Sequence, residues 1–373
     1  MNQRGYGGPL RYIQGPGVIA DIGRYAASLG QSALVVVDSF LWDGLRGRIA
    51  GSLEAAGVEA RFLRFGGESS DTEVERCIGE ARAAAVVIGV GGGKALDTAK
   101  ITASHIGARI VTVPTIASTD SPTSAIGVIY SPEGVYDCVV RCGRNPDVVL
   151  VDSAVIAAAP ARFLVSGMGD ALSTFFEARS NQDTRSRNYI GDGYAPTAAG
   201  LAIARACHDV LMRDGRAALA AARANRLTPA VETIIEANTL LSGLGFENCG
   251  VSAAHGIHDA LTVLGPTHRF FHGEKVAFGT ICLLVLENRP RAELEEVIDF
   301  CIDLGLPTTL ADLGLAAVRE DEMRAVGEAA MAPASVIHSV PVALDSRLVA
   351  DAIWTASAIA EARGAERDPR RPT

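Results

Sequence analysis

The chain has 373 residues, of which 48% are hydrophobic, with a formal net charge of −9 and seven cysteines in no repeating spacing. That length suggests two domains, the apolar content supports a sizeable core and excludes a disordered chain, and the acidic balance argues against a general nucleic-acid binder. No run of 18 uninterrupted apolar residues is present and Met1–Gly5 lacks an apolar signal core; with an odd cysteine count these features predict a cytoplasmic protein with no membrane span and no disulfide framework.

Taken in order, residues 33–38 (Ala-Leu-Val-Val-Val-Asp) form a short β-branched apolar run that predicts a buried strand. Residues 45–56 have helical periodicity, with Gly57 as a cap. A short run at 60–65, a helix over 71–84 and a continuous apolar strand at 85–90 follow. Strands that are continuously apolar and alternate with helices predict a parallel sheet covered on both faces. Directly after the third strand comes Gly91-Gly92-Gly93-Lys94-Ala95-Leu96-Asp97. Three glycines allow close approach of backbone to a phosphate, and the N-terminus of a following helix favours an anion, although a plain tight turn has the same composition. Strand, glycine loop and helix in succession favour a dinucleotide diphosphate.

Asp38 falls at the C-terminal end of the first strand, where an acidic side chain can accept from a ribose 2′-hydroxyl and would repel a 2′-phosphate; the other reading is a turn or cap aspartate. Residues 110–114 predict a further strand running into a hydroxyl-rich loop, Thr115–Ala125, suited to a polar ligand. Residues 128–130 and 147–152 are additional strand candidates.

Beyond residue 154 the pattern becomes Ala-rich and helical, at 154–159, 169–179, 195–213, 216–224, 229–244, 251–264, 274–287, 292–304, 320–331 and 347–363, with a polar, frayed tail from 365. No strand is expected after Asp152. The fold class is therefore an α/β N-terminal domain with a Rossmann-like parallel sheet (1–159) followed by an all-α domain (160–373), joined near Pro160. Gly167-Met168-Gly169-Asp170 is expected to open a helix, with Asp170 an N-cap when read in isolation.

Four of the seven histidines lie within eighteen positions: His255, His258, His268 and His272. His255 and His258, three apart, share a helix face; His272 lies beyond a break at Gly265-Pro266. Clustered imidazoles among apolar residues are either a metal site or satisfied core histidines.

These motifs, together with Pro114-Thr-Ile-Ala-Ser-Thr-Asp-Ser-Pro122, Gly245-Phe-Glu-Asn248, Ala254-His-Gly-Ile-His258 and His272-Gly-Glu-Lys-Val-Ala-Phe-Gly279, resemble in order and over nearly the whole chain the glycerol dehydrogenases, a branch of the iron-type (group III) polyol and alcohol dehydrogenases. The resemblance implies a metal on Asp170, His255 and His272. It implies NAD contacts from Asp38, Gly93, Lys94, Asp97, Thr115, Ser118, Ser124, Ile126 and Tyr130, a polyol contact from Asp120, and a pocket role for His258, which is not expected to ligate. His268 is expected to be structural.

Iron-dependent members carry a histidine four positions after the aspartate; here that position is Thr174, and three protein ligands with an open position suit one catalytic zinc per subunit. Phe270-Phe271 stands where these dehydrogenases often have a Tyr-Tyr pair. The expected activity is NAD-dependent oxidation of glycerol to dihydroxyacetone by a homo-oligomer, with an octamer suggested by the family. Dehydrogenation of another small diol, a lyase resembling dehydroquinate synthase, and a catalytically silent NAD-binding protein are the rival readings.

Overall fold

The computed structural model describes residues 3–132, 134 and 136–367. Its N-terminal part contains strands β1 (Tyr12–Gly15), β2 (Ser32–Val37), β3 (Glu59–Arg64), β4 (Val86–Gly91), β5 (Arg109–Pro114), β6 (Ile126–Tyr130), β7 (Tyr136–Arg141) and β8 (Val148–Asp152). Helices α1 (Ile22–Ala27), α2 (Trp42–Ala55), α3 (Asp71–Ala81) and α4 (Gly93–Ile106) alternate with the first strands. The remainder is helical: α5 (Ser153–Ala157), α6 (Ala161–Thr184), α7 (Ala198–Arg223), α8 (Pro229–Glu236), α9 (Ser242–Cys249), α10 (Ala253–Leu261), α11 (His272–Leu286), α12 (Arg291–Leu304), α13 (Glu320–Ala330) and α14 (Ser346–Arg367). As expected, no strand follows Asp152 among the described residues.

Six strands form one parallel sheet in the order β1-β8-β5-β4-β2-β3. The central members β4, β5 and β8 are buried nearly end to end, which is why they read as continuous apolar runs rather than alternating ones. The chain steps from β2 outward to β3 and then back past β2 to β4, so the connections diverge between β2 and β4. That divergence is a topological switch point, where a crevice opens at the carboxyl ends of strands. Asp38 and Gly91 meet there: the Asp38 N–H donates to Val90 O at 2.8 Å, and a Cβ on Gly91 would lie 3.0 Å from the Asp38 Cβ.

Several sequence expectations are corrected. β1 is a half-buried edge strand, Tyr-Ile-Gln-Gly, too short and too polar to stand out as an apolar run. β7 is the exposed partner of β6 in a separate antiparallel hairpin. The helices expected at 195–213 and 216–224 are a single one, α7. Gly167–Asp170 does not open a helix but lies inside the 24-residue α6, so Asp170 is not an N-cap. Those glycines are packing residues: a Cβ on Gly167 would fall 1.9 Å from Ala117 O, and one on Gly169 2.4 Å from Gly273 O.

Candidate active site

Three helices deliver the cluster. α6 carries Asp170, α10 carries His255 and His258, and α11 begins at His272. They approach backbone to backbone: a Cβ on Gly273 would lie 1.8 Å from Ser166 O, and one on Gly279 2.2 Å from Ala254 O. The start of α11 is also tied to α6 by side chains. Glu274 accepts from the Phe271 N–H at 2.8 Å and from Arg162 through both carboxylate oxygens, at 2.6 and 2.8 Å. The Phe271 ring stacks on Phe163 with centroids 5.1 Å apart.

One ligating atom each from Asp170, His255 and His272 lies within 4.8 Å of the others. The Asp170 side chain is 1% exposed, and neither of its oxygens takes part in a hydrogen bond of regular geometry. Its Oδ1 is instead faced by His272 Nε2 at 3.1 Å and His255 Nε2 at 3.6 Å. Leaving a buried carboxylate without regular partners is costly, and a cation in the middle of these donors removes that cost. Burial alone would raise the Asp170 pKa, but the facing imidazoles outweigh it and hold the group below the usual carboxylate range. Burial alone would lower the His255 pKa, but Glu177 and Asp170 together lift it well above the usual imidazole value. Two buried carboxylates thus draw positive charge to this point, and the donor set of one carboxylate and two imidazoles fits a metal ion.

Glu177 is the residue that sequence reading missed. Fully buried two turns after Asp170 on α6, it accepts from His255 Nδ1 at 2.7 Å and from the backbone N–H groups of Ser252 and His255 at 2.8 and 3.0 Å. A donor bond from Nδ1 leaves Nε2, on the Asp170 side of the ring, as the nitrogen available to a metal ion. The available signal was an acidic residue seven positions after Asp170, on nearly the same face of an apolar helix.

His258 packs edge-on against His272 with centroids 4.3 Å apart. Its Nδ1 lies 2.8 Å from Asp259 Oδ1, and burial, followed by the adjacent His272, pushes its pKa down to about 3. His268 bonds to Thr262 O at 2.7 Å through Nε2 on the surface, away from the cluster.

The hydroxyl-rich loop borders the same region. Asp120 accepts from Ser242 Oγ at 3.1 Å, and Ser242 in turn lies 2.9 Å from Thr174 Oγ1. Burial, and then the Asp170 charge, push the Asp120 carboxyl well above its usual range. Thr174 therefore spends its hydroxyl on Ser242.

At the switch-point crevice, Gly93 opens α4, and the Thr115 N–H donates to Gly91 O at 3.1 Å. Lys94 pairs with Glu68 at 2.5 Å and lies over the Tyr130 ring, 5.0 Å from its centroid. Ser118 offers its carbonyl to Ser166 Oγ at 3.3 Å, and Ile126 leads the half-buried strand β6. Asp97 and Ser124 face inward. Asp97 accepts from Ser121 Oγ, Lys100 Nζ and the Val128 N–H, and Ser124 Oγ lies 3.3 Å from Lys100 Nζ. These two support the loop from behind with their polar atoms already partnered.

This arrangement, a parallel sheet with a glycine loop at its switch point beside a helical cluster of one aspartate and two histidines, belongs to a dehydrogenase class. The family described as iron-containing alcohol dehydrogenase matches residues 9–153, and the chain belongs to it. Among curated relatives, it is 45% identical to a glycolaldehyde reductase of Halobacterium salinarum over 93% of this chain and 95% of that one. It is 42% identical to the glycerol dehydrogenase of Citrobacter freundii over 95% of this chain and 97% of the relative. The structure of a probable glycerol dehydrogenase from Sinorhizobium meliloti superposes with a TM-score of 0.92 at 55% identity, covering 96% of this chain and 99% of that one. No helix among the described residues is long and apolar enough to cross a membrane.

Proposed function

We propose that the protein is an NAD-dependent polyol dehydrogenase that oxidises glycerol to dihydroxyacetone at a zinc site formed by Asp170, His255 and His272. The observation that carries this reading is the buried Asp170 carboxylate, without a regular hydrogen bond and faced by two imidazole nitrogens. Full-length relatives named as glycerol dehydrogenases support the substrate class. With Thr174 engaged by Ser242, three protein donors and an open position favour zinc over a fully ligated ion. In this reading residues 1–159 bind the cofactor and 160–373 supply the metal and most of the substrate site.

The bound metal supplies Lewis acidity toward a substrate hydroxyl, and the nicotinamide accepts the hydride. The remaining work belongs to the chain. Asp38 accepts from the adenosine ribose at the switch point, while the backbone at Gly93 and the start of α4 meet the diphosphate. Lys94, Thr115, Ser118, Ile126 and Tyr130 line the course of the cofactor, and Asp97 and Ser124 hold that wall in place. Asp120 receives a polyol hydroxyl. His258, kept neutral by burial with Nδ1 committed to Asp259, has Nε2 free to accept a hydrogen bond from the substrate or from a water that carries the departing proton.

The test is zinc content of the purified protein together with initial rates over glycerol, 1,2-propanediol, 2,3-butanediol and ethanol with NAD. The proposal expects about one zinc per chain and glycerol as the best of these substrates. A protein that retains no metal, or that forms no net NADH with any polyol, is incompatible with it. The glycolaldehyde reductase relative favours a second reading, in which the same site works mainly in the reductive direction on a small hydroxyaldehyde. Rates with glycolaldehyde and NADH, set against glycerol and NAD, separate the two.

A further inference from the structure

The helix that starts at Pro229 is not uniform. Between α8 and α9, residues Ala237–Leu241 form a π turn, so one helix runs from 229 to 249 with an extra residue in its middle. One inserted residue rotates every later side chain by about 100° about the axis, and such turns concentrate at functional sites. Here the face it creates holds the 115–125 loop at four points. Asn238 Nδ2 donates to Ala117 O at 2.9 Å, and Thr123 Oγ1 donates to Thr239 O at 3.2 Å. Ser242 Oγ donates to Asp120 Oδ2 at 3.1 Å, and the Ala125 N–H donates to Glu247 Oε1 at 2.7 Å. The helix is pressed against the loop, since a Cβ on Gly243 would fall 1.9 Å from Thr123 Oγ1.

Of these four, only the Ser242 bond ends on a side chain assigned to the substrate. Ser242 is completely buried and has a single hydroxyl proton. With that proton donated to Asp120, the 2.9 Å bond to Thr174 has Thr174 Oγ1 as donor. Thr174 is buried as well, on α6 one turn beyond Asp170, and a Cβ on Gly245 would lie 2.3 Å from its methyl carbon. Among the described residues the Thr174 hydroxyl makes no other hydrogen bond, so the chain Thr174–Ser242–Asp120 stops inside the protein. It is a brace and not an exit for protons. Among the described residues Asp120 Oδ1 takes no side-chain hydrogen bond.

We propose that Ser242 is a positioning residue for Asp120. Steadied by Thr174 and set in register by the π turn, its hydroxyl fixes the carboxyl in the orientation that receives a polyol hydroxyl. The proposal rests on the reading of Asp120 as a substrate contact. It also gives Thr174 a use: where iron-type members are expected to place a third imidazole as fourth ligand, this chain places the far end of a substrate-side brace.

A double-mutant cycle on the zinc-loaded enzyme tests it. Ser242→Ala is expected to lower kcat/KM for glycerol about tenfold, the order of effect of one buried hydrogen bond. Zinc content and the KM for NAD should stay unchanged. The affinity of the enzyme–NADH complex for dihydroxyacetone, followed by NADH fluorescence, should fall in parallel. With Asp120→Asn already present, Ser242→Ala should cost nothing further. Thr174→Val, which keeps the shape and removes the hydroxyl, should give a smaller loss that also vanishes in the Asp120→Asn background, and it serves as the probe if Ser242→Ala folds poorly. Equal costs in both backgrounds would mean that Ser242 acts only through general packing and would overturn the proposal. Undiminished kcat/KM in Asp120→Asn alone would instead remove the substrate-contact reading, and the brace with it.

Discussion

The two halves of the molecule build their sites by different means. In the sheet half, Asp38 and Gly91–Gly93 come together because β2 and β4 are neighbours whose connections diverge, so topology brings the residues together. In the helical half, Asp170, His255 and His272 come from three helices whose spacing is set by main-chain contact at Gly169, Gly273 and Gly279. The first kind of site follows from the order of strands. The second depends on individual missing side chains and on one charged support, Glu177. Damage should therefore be graded: abrupt where a helix delivers a ligand, moderate where a strand end delivers a contact.

The largest effect is expected from His272→Ala. Removing one of three metal donors should abolish zinc retention and reduce turnover below detection, with the far-ultraviolet circular dichroism unchanged. A metal-free preparation of this variant at full activity would end the assignment. Next comes Glu177→Gln, which keeps shape but removes the charge that orients His255. Loss of such a support costs about 10–100-fold in metal affinity or activity, measured as zinc competition against a chelator; unchanged affinity would put the helical half on the same footing as the sheet half.

In the sheet half, Asp38→Ala should raise the KM for NAD about tenfold and narrow the preference over NADP, consistent with loss of one hydrogen bond to a charged acceptor. An unaltered NAD-to-NADP ratio would remove Asp38 from the ribose site.

An effect of another kind, on stability and not on turnover, is expected where the two halves meet. Glu247 on α9 accepts from the Ala125 N–H and from Asn145 Nδ2, and burial pushes its carboxyl from 4.5 up to about 7. A folded-state pKa raised above the unfolded value contributes stability that is fully present below about 4.5 and lost as pH climbs through about 7. Relative to Glu247→Gln, which cannot ionise and carries a constant offset for its altered bonds, the native protein should lose on the order of 3 kcal/mol across that window. Denaturant midpoints at a series of pH values read the difference, and parallel curves for the two proteins would refute it.

Much of this was legible in the sequence, for reasons that differ by element. β2, β4, β5 and β8 are buried strands of a parallel sheet, and burial on both faces writes itself as an uninterrupted apolar run. β1 and β7 are only partly covered and leave no such run. The histidines were visible as a cluster because two lie on one helix and the third follows a short break. Asp170 was named through resemblance, but its setting was misread, because glycines next to it suggest a helix start when the reason for them is a neighbouring helix. Glu177 and Ser242 were invisible as site residues: one acts through His255 and the other through Asp120, and their partners lie 78 and 122 positions away. The π turn left no local sign at all, since it is specified by what α8 and α9 must reach on the loop.

The close crossing of α6 and α11 has a consequence for how such an enzyme can change over time. The proposed metal seat is written in backbone distances, which side-chain substitutions elsewhere in the core do not readily alter. The loop at 115–125 hangs from side-chain hydrogen bonds along one helix, each open to replacement by a single codon change. On the proposed function, a lineage can therefore explore new substrates by exchanging those attachments one at a time, while the helix crossing beneath them is inherited intact.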